Sequence, residues 1–477
     1  MLESSRLIAF FRVFFVTRRV GAHFFCRLPH TALHKDFIMR TSQLAVMRDR
    51  IAEALSLATR KGASAAKISF SHNENRACRF ESGRLKECNS ADTMGYSIAL
   101  VVNGRRGTAT SNIPAAMNDM VERAVAIAAS GAVAHFTEYP APGNYPSIQT
   151  FSPEVLAVTR EKTIDDCQSM VDQLKAADAS LDISAEAEIR ENESIVANSA
   201  GLMHENRSTS WGLGLAIQKT TGTDMMFSYA SRGWREWNHL YDPDYLVNEI
   251  LFDLRHASRF ATIPDGVWPV FVPSRALPMF LHPITLGING RNVFKGDSPL
   301  KDRLGTKCFA DNLSILDNPH LDFAPSSAPF DSAGIPTQKR WLVEKGVLKT
   351  FLYDLDTAKL AGQEPTGNSG CSPYTMLVQP GQETAAQLLG SIKKGIYLKS
   401  LLGFGQSNII NGDFSANLAL GYLIENGEIV GRLKNVMLAG NILDLLKGEV
   451  RFSSDCDPQN QQPAAVLEGI SAVSAKA

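Results

Sequence analysis

Residues 96–110 read YSIALVVNGRRGTAT, and this stretch decides how the first part of the chain folds. Residues 96–102 form a strongly apolar strand. Asn103 and Gly104 supply the positive φ angles of a tight hairpin, and 106–110 return as its second strand. Upstream, 67–70 and 78–80 read as short strands, and Ser82-Gly83 turns into a third at 84–89. Between 41 and 61 the apolar residues Leu44, Met47, Ile51, Leu55 and Ala58 recur at helical spacing, and 115–129 form a second amphipathic helix. The unit is α+β, with helices outside and a β-meander between them.

A similar pattern returns after a linker marked by Pro140, Pro142, Gly143 and Pro146. Ser152-Pro153 reads as the N-cap and first-turn proline of a helix running towards Ala176. Strand 183–191 is expected to pair with 193–198, followed by strands at 202–208, 211–219 and 225–232. Residues 241–260 close the unit as a helix, with Leu246, Ile250, Leu254 and Ala257 on one side. Beyond 262 the chain is mainly β. Residues 267–272 are strand-like, with Pro269 suggesting an edge position. Glu344-Lys345-Gly346 and Glu425-Asn426-Gly427 are hairpin signals.

The expected fold class is α+β, with N-terminal α/β meander domains packed on a mainly antiparallel, barrel-like C-terminal domain. The expected boundaries are a non-native or unstructured leader at 1–40, an N-terminal domain at 41–140, a central domain at 150–260, a β-rich domain at 262–453 and a loosely held tail at 454–477.

The chain is 44% hydrophobic and 20% charged, the balance of a globular protein with a sizeable core. Its formal net charge of -1 and the lack of a long basic run give no footprint for nucleic acid or an anionic membrane. The seven cysteines are scattered without a CxxC pair, which fits free thiols in a reducing cytosol and a cytoplasmic location. The first 40 residues carry seven Lys/Arg against Glu3 and Asp36, and the apolar run 7–16 is broken by Arg12. That run is half of the roughly 20 apolar residues that a membrane span needs. Translation from Met39 is the plainer expectation.

A hydrolytic zinc needs three protein ligands and an open position for water. None of His72, His135, His239, His256 and His320 has a second His or Cys at helical ligand spacing. His204-Glu205 leads only to Arg207 and Ser208. His282 stands between Leu281 and Pro283, and Pro278 and Pro283 argue against a regular helix there. No GxSxG elbow and no phosphate-binding glycine loop occurs. Cys371 follows Asn368-Ser369-Gly370, a loop that either exposes a nucleophilic thiol or uses a small residue to fill a turn.

Several stretches resemble the TldD/PmbA family of peptidases. They include RFESGRLKECNSADTMGYSIALVVNGRRGTATS from Arg79, IVANSAGL from Ile195, and SAPFDSAGIPTQKRWLVEKGVLKTFLYDLDTAKLAG from Ser327. PTGN at 365–368, INGDFSANLALGYLIENGEIV and VMLAGNILDLL continue the likeness. In the family's metal-binding branch an HExxxH helix and a distal cysteine hold zinc. Counted back from Gly290, Gly296 and Ser298, the three helix positions fall on Leu281, His282 and Leu286, with Cys456 in the distal region. The departure matches the PmbA/TldE branch. The resemblance implies a subunit with no cofactor of its own that shapes the peptide cleft, paired with a TldD-type partner that carries the zinc. The alternative is a free-standing peptide-binding or scaffold homodimer. By the same analogy Asp331, Gln338, Arg340, Thr366, Gly367 and Asn368 line the cleft, where a sheet edge could take a peptide as an added strand. Neither nucleic acid nor membrane is expected as a partner.

Overall fold

The computed structural model describes residues 32–474. It separates into two units. The first, ending at Arg50, is described over its helical residues 32–50, part of α1 (Ala32–Arg60). The second begins at Ile51 and carries all the sheets found among the described residues. The expected leader lies outside the described residues as far as 31. From Ala32 onward it is helix, not unstructured chain.

Six strands form one antiparallel sheet: β1 (Ala63–Glu81), β2 (Arg84–Val102), β3 (Arg105–Ser111), β4 (Asp182–Asn198), β5 (Met203–Thr221) and β6 (Asp224–Trp234). Their order is β3-β2-β1-β4-β5-β6. The meanders on either side of the proline-rich linker are thus halves of one sheet, joined where β1 pairs with β4 from Lys67/Asn198 to Phe80/Ala185. The hairpin at Asn103-Gly104 forms as expected, with φ of 50° and 72°.

The strands are longer than their apolar patterns. The expected short strands at 67–70 and 78–80 are parts of β1, because the polar residues between them have cross-strand partners on both sides. His72 faces Met94 and Glu193, and Glu74 faces Asp92 and Glu191. The turn expected near Asn192 is likewise absent, since Asn192 pairs with Asn73 and Ser208 within β4. Cys78 lies opposite Cys88 in the β1–β2 register and the two form a disulfide, which corrects the expectation of free thiols at these two positions.

Helices cover one face of this sheet. α2 (Met117–Ala128) buries Met120, Val121 and Ala124. It lies so close to β3 that a Cβ on Gly107 would stand 1.8 Å from the Ala124 carbonyl oxygen. α3 (Arg160–Ala177) starts later than Pro153, after a separate turn at Pro153–Leu156, because Thr159 provides the N-cap by accepting from Lys162 N. α4 (Pro243–His256) is capped by Asp242. Met170, Leu174, Leu246 and Ile250 of these helices share a core with Ile183, Leu213, Leu215 and Ile217.

The rest of the chain supplies β7 (Phe260–Ala261), β8 (Gly266–Val272), α5 (Leu277–Gly287) and α6 (Gly290–Lys295). Next come β9 (Ile315–Asp317), β10 (Arg340–Glu344), β11 (Val347–Leu348), α7 (Leu355–Ala361) and β12 (Met376–Val378). Then follow α8 (Ala385–Gly390), β13 (Lys394–Leu402), β14 (Asp413–Glu425), β15 (Glu428–Leu433) and β16 (Val436–Asn441). β17 (Val450–Cys456) and β18 (Pro463–Ser474) complete the set. The strands β13-β8-β18-β16-β14 pair in sequence, and β14 pairs back to β13, so the sheet closes as a barrel. Within that ring only β8–β13 is parallel. The fold is α+β with a mainly antiparallel barrel, as expected. Both ENG- and EKG-type hairpins form, with Lys345 and Asn426 at φ of 48° and 51°.

Three expectations fail here for physical reasons. Pro269 is not on an edge, since β8 lies between β13 and β18. Its missing N–H falls where the β8–β18 register shifts, between the Val270/Leu467 and Trp268/Ile470 pairs. The chain from 454 to 474 is not loosely held: β18 pairs with β8, β16 and β17 and buries Ala465, Val466, Leu467 and Ile470. Residues 277–287 are a helix despite two prolines. Pro278 occupies the first turn, where the N–H has no helical acceptor, and Pro283 removes one interior bond. Leu277, Phe280, Leu281 and Ile284 anchor that helix in the barrel core.

α4 meets the barrel through polar side chains. Asp253, fully buried, accepts from Ser228 Oγ at 2.5 Å and from Tyr422 Oη at 2.8 Å. Lys399 Nζ lies 3.3 Å from Asp253 and 2.9 Å from Glu249. Burial raises the Asp253 carboxyl above its ordinary range, and the Lys399 charge opposes that shift.

Candidate functional site

The loops before β10 and after α7 meet beside the short sheet β11-β10-β9-β12. Asp331 opens a tight turn. Its Oδ1 accepts from Ala333 N at 2.8 Å and Ile335 N at 3.0 Å, and Gly334 takes a φ of 88°. The turn is held from outside as well. Tyr145 Oη donates to Gly334 O at 2.8 Å, Lys67 Nζ to Ser332 O at 2.7 Å, and Ser332 N to Ser369 Oγ at 2.8 Å. Asp331 is only 2% exposed, and its Oδ2 is buried without a hydrogen-bond partner. Burial raises its carboxyl above the ordinary range, opposed by the backbone N–H groups of Ile335 and Ala333.

Arg340, Thr366, Gly367 and Asn368 come together around a residue that the sequence reading missed, Asp317. This carboxylate has no exposed surface. Oδ1 accepts from Tyr374 N at 2.8 Å and Thr375 N at 3.0 Å, while Oδ2 accepts from Asn368 Nδ2 at 3.0 Å. Arg340 sits opposite Asp317 in the β9–β10 register and donates to Thr366 O at 2.5 Å. Thr366 Oγ1 accepts from Tyr353 N at 2.9 Å, and Gly367 O accepts from Tyr374 Oη at 3.1 Å. Gln338 is exposed, with its Oε1 3.4 Å from Arg340 Nη2. Most of the six candidates therefore spend their polar atoms on fixing loops, and Gln338 is the one that faces solvent. Gly367 requires its residue type: φ is 75°, and a Cβ would lie 2.4 Å from Pro336 O. Gly367→Ala is expected to cost more than about 1 kcal/mol in urea unfolding, with the loop displaced from Pro336.

Cys371 does not present a thiol. It is 1% exposed, its Sγ accepts from Asp354 N at 3.3 Å, and burial pushes its thiol up. The turn-filling role is the one realised. On α5, Leu281 is fully buried, Leu286 is half-buried and His282 is exposed. Two of these side chains are hydrocarbon and offer no donor atom, so the set does not fit a zinc ion. Cys456 is exposed at the end of β17, its thiol raised by burial and by Asp455 and Asp457.

Residues 265–474 match the PmbA/TldA metallopeptidase C-terminal domain, and residues 66–128 match PmbA/TldA metallopeptidase domain 1. The chain belongs to the PmbA/TldD family. Among its PmbA/TldD relatives, a metalloprotease of Methanothermobacter thermautotrophicus is 26% identical over 392 residues, covering 78% of this chain and 84% of that protein. A metalloprotease PmbA homolog of Haemophilus influenzae is 28% identical over 286 residues, covering 57% of this chain and 60% of that protein. A crystal structure from Thermotoga maritima, described as a modulator of a DNA gyrase, aligns with a TM-score of 0.80 at 25% identity, covering 89% of this chain and 99% of that one. TldE from Thermococcus kodakarensis has the same fold, with a TM-score of 0.79 at 20% identity, covering 89% of this chain and 100% of that one. Among the described helices of this PmbA/TldD chain, none is long and apolar enough to cross a membrane.

Proposed function

We propose that this chain acts in proteolysis as a PmbA/TldE-type subunit, shaping a peptide-binding cleft for a TldD-type partner that carries the zinc. The observation that supports this most is the side-chain set on α5. Leu281 is packed into the barrel core, Leu286 is apolar, and His282 has neither the neighbours nor the spacing of a ligand. An activated water needs about three protein ligands around its metal, so this chain contributes binding and positioning. On this reading the fixed loops around Asp331 and Asp317 are the floor of the cleft, and the exposed Gln338 and Lys339 are its rim.

The test is a peptidase assay on the isolated chain, on a TldD-type subunit from the same genome, and on the mixture. Activity is expected in the mixture and not in this chain alone. His282→Ala should leave the mixture within about twofold of wild type, since less than 1 kcal/mol is at stake for a residue outside the chemistry. Hydrolysis by the isolated chain that disappears in His282→Ala overturns the proposal. A stable homodimer that binds peptide and ignores the TldD-type subunit also overturns it, in favour of a free-standing scaffold.

A further inference from the structure

Three carboxylates stand in one row across adjacent strands of the N-terminal sheet. Asp92 of β2 pairs with Glu74 of β1, and Glu74 pairs with Glu191 of β4. Like charges directly opposite each other in a sheet are destabilising, so such a row calls for cations. Arg207 supplies one, 2.6 Å from Glu191. Burial and the Arg160 charge lower the Arg76 guanidinium from its ordinary range, and Glu74 and Glu191 oppose that shift. Beside Asp92 and Glu74 stands an imidazole as well, that of His72, two residues from Glu74 on the same face of β1.

The imidazole separates this cluster from an ordinary acidic patch. His72 Nε2 lies 2.7 Å from Asp92 Oδ1, and one ligand atom each from His72, Glu74 and Asp92 lie within 4.8 Å of one another. Behind the ring, Glu193 Oε2 is 3.7 Å from Nδ1. Glu193 is itself 9% exposed and held by Arg207 at 3.6 Å. Closed to hydrogen-bond distance, a carboxylate in this place fixes the tautomer and orientation of a ligating histidine. The His72 side chain is 11% exposed and Asp92 is 65% exposed, so the group is walled on one side and open to water on the other.

We propose that His72, Glu74 and Asp92 bind a divalent transition-metal ion, with Glu193 as the positioning residue behind the imidazole. One imidazole with two carboxylates is a donor set suited to Zn2+ or Mn2+. Water completes the coordination on the Asp92 side. The ion ties β1 to β2 midway along two 19-residue strands. This site is separate from α5 and does not depend on the proteolytic reading.

The experiment uses the full chain, stripped with chelator and titrated with Zn2+ and Mn2+ by calorimetry, with thermal unfolding in parallel. One ion per chain and a metal-dependent rise in Tm are expected. Asp92→Asn changes an exposed side chain and leaves the fold intact; it should weaken binding at least tenfold and abolish the Tm rise. Glu193→Gln should weaken binding about 10–100-fold, as loss of a carboxylate behind a ligating histidine does. His282→Ala and Cys456→Ala should bind as wild type does. Wild-type protein with no Tm response to either ion, as expected for a His72 ring that simply bridges Asp92 and Glu193, overturns the proposal. So does metal binding that survives unchanged in Asp92→Asn.

Discussion

Lys399→Met should destabilise the protein by about 3–5 kcal/mol at neutral pH, the usual cost of stranding one member of a buried ion pair. Asp253 is fully buried between α4 and the barrel, and Lys399 is the cation nearest to it. Without that cation, the Ser228 and Tyr422 hydroxyls remain as donors, but the charge has no counterpart. Burial already raises the Asp253 carboxyl, and removing Lys399 raises it further. The folded variant then holds a proton that the unfolded chain gives up at its ordinary carboxylate pKa. Stability is therefore lost as pH rises from that ordinary value through the raised folded value, and regained as pH falls. Urea unfolding at several pH values measures this. A deficit below about 1 kcal/mol, equal at pH 5 and pH 8, would show that Lys399 is not the counter-charge.

Asp317→Ala is the second large effect, about 3 kcal/mol or more. Three donors converge on this carboxylate, and each one left buried and unsatisfied costs about 1–3 kcal/mol. The damage should reach further than the β9 strand. Asn368 loses one of its two acceptors, so the 366–372 loop loosens and the Arg340–Thr366 contact goes with it. Hydrogen exchange of the Tyr374 and Thr375 amides should rise well above that of the barrel strands. Asp317→Asn keeps an acceptor for the two backbone amides but turns an amide towards Asn368, so it should fall between wild type and Asp317→Ala. If Asp317→Ala unfolds with wild-type midpoint and exchange, the loop is held by something other than this carboxylate.

The contrast between Asn103 and Asp317 marks how far the sequence could be read. The Asn103-Gly104, Lys345-Gly346 and Asn426-Gly427 turns were legible because a positive φ is a local demand that few residue types meet. The barrel was legible as repeated hairpins, although its closure rests on β13 pairing with β14. Polar strand segments were not legible. Residues 71–77 carry no apolar alternation, and their order comes from neighbours on β2 and β4. Asp317 looked ordinary because its partners lie 51 to 58 residues away. His72 has no second His or Cys one helical turn away, so no ligand spacing marks it in the sequence. Its companions sit at strand spacing and across a hairpin, where Asp92 is 20 residues distant. Arg340, Thr366 and Asn368 could be singled out only through the family likeness, since nothing in their local sequence announces a shared hub.

The position of β18 has a consequence for the order of events during synthesis. This late strand lies between β8 and β16, at the middle of the barrel's closure. All six strands of the N-terminal sheet have left the ribosome once Trp234 is free, so that layer can fold early, as N-terminal parts of nascent chains do. The barrel cannot. Until residues 463–474 emerge, β8 and β16 expose unpaired strand edges with an apolar interior beside them. Nascent chains stalled or truncated before Pro463 should therefore carry a finished sheet attached to an open, adhesive half-barrel, the form of this protein most in need of a chaperone.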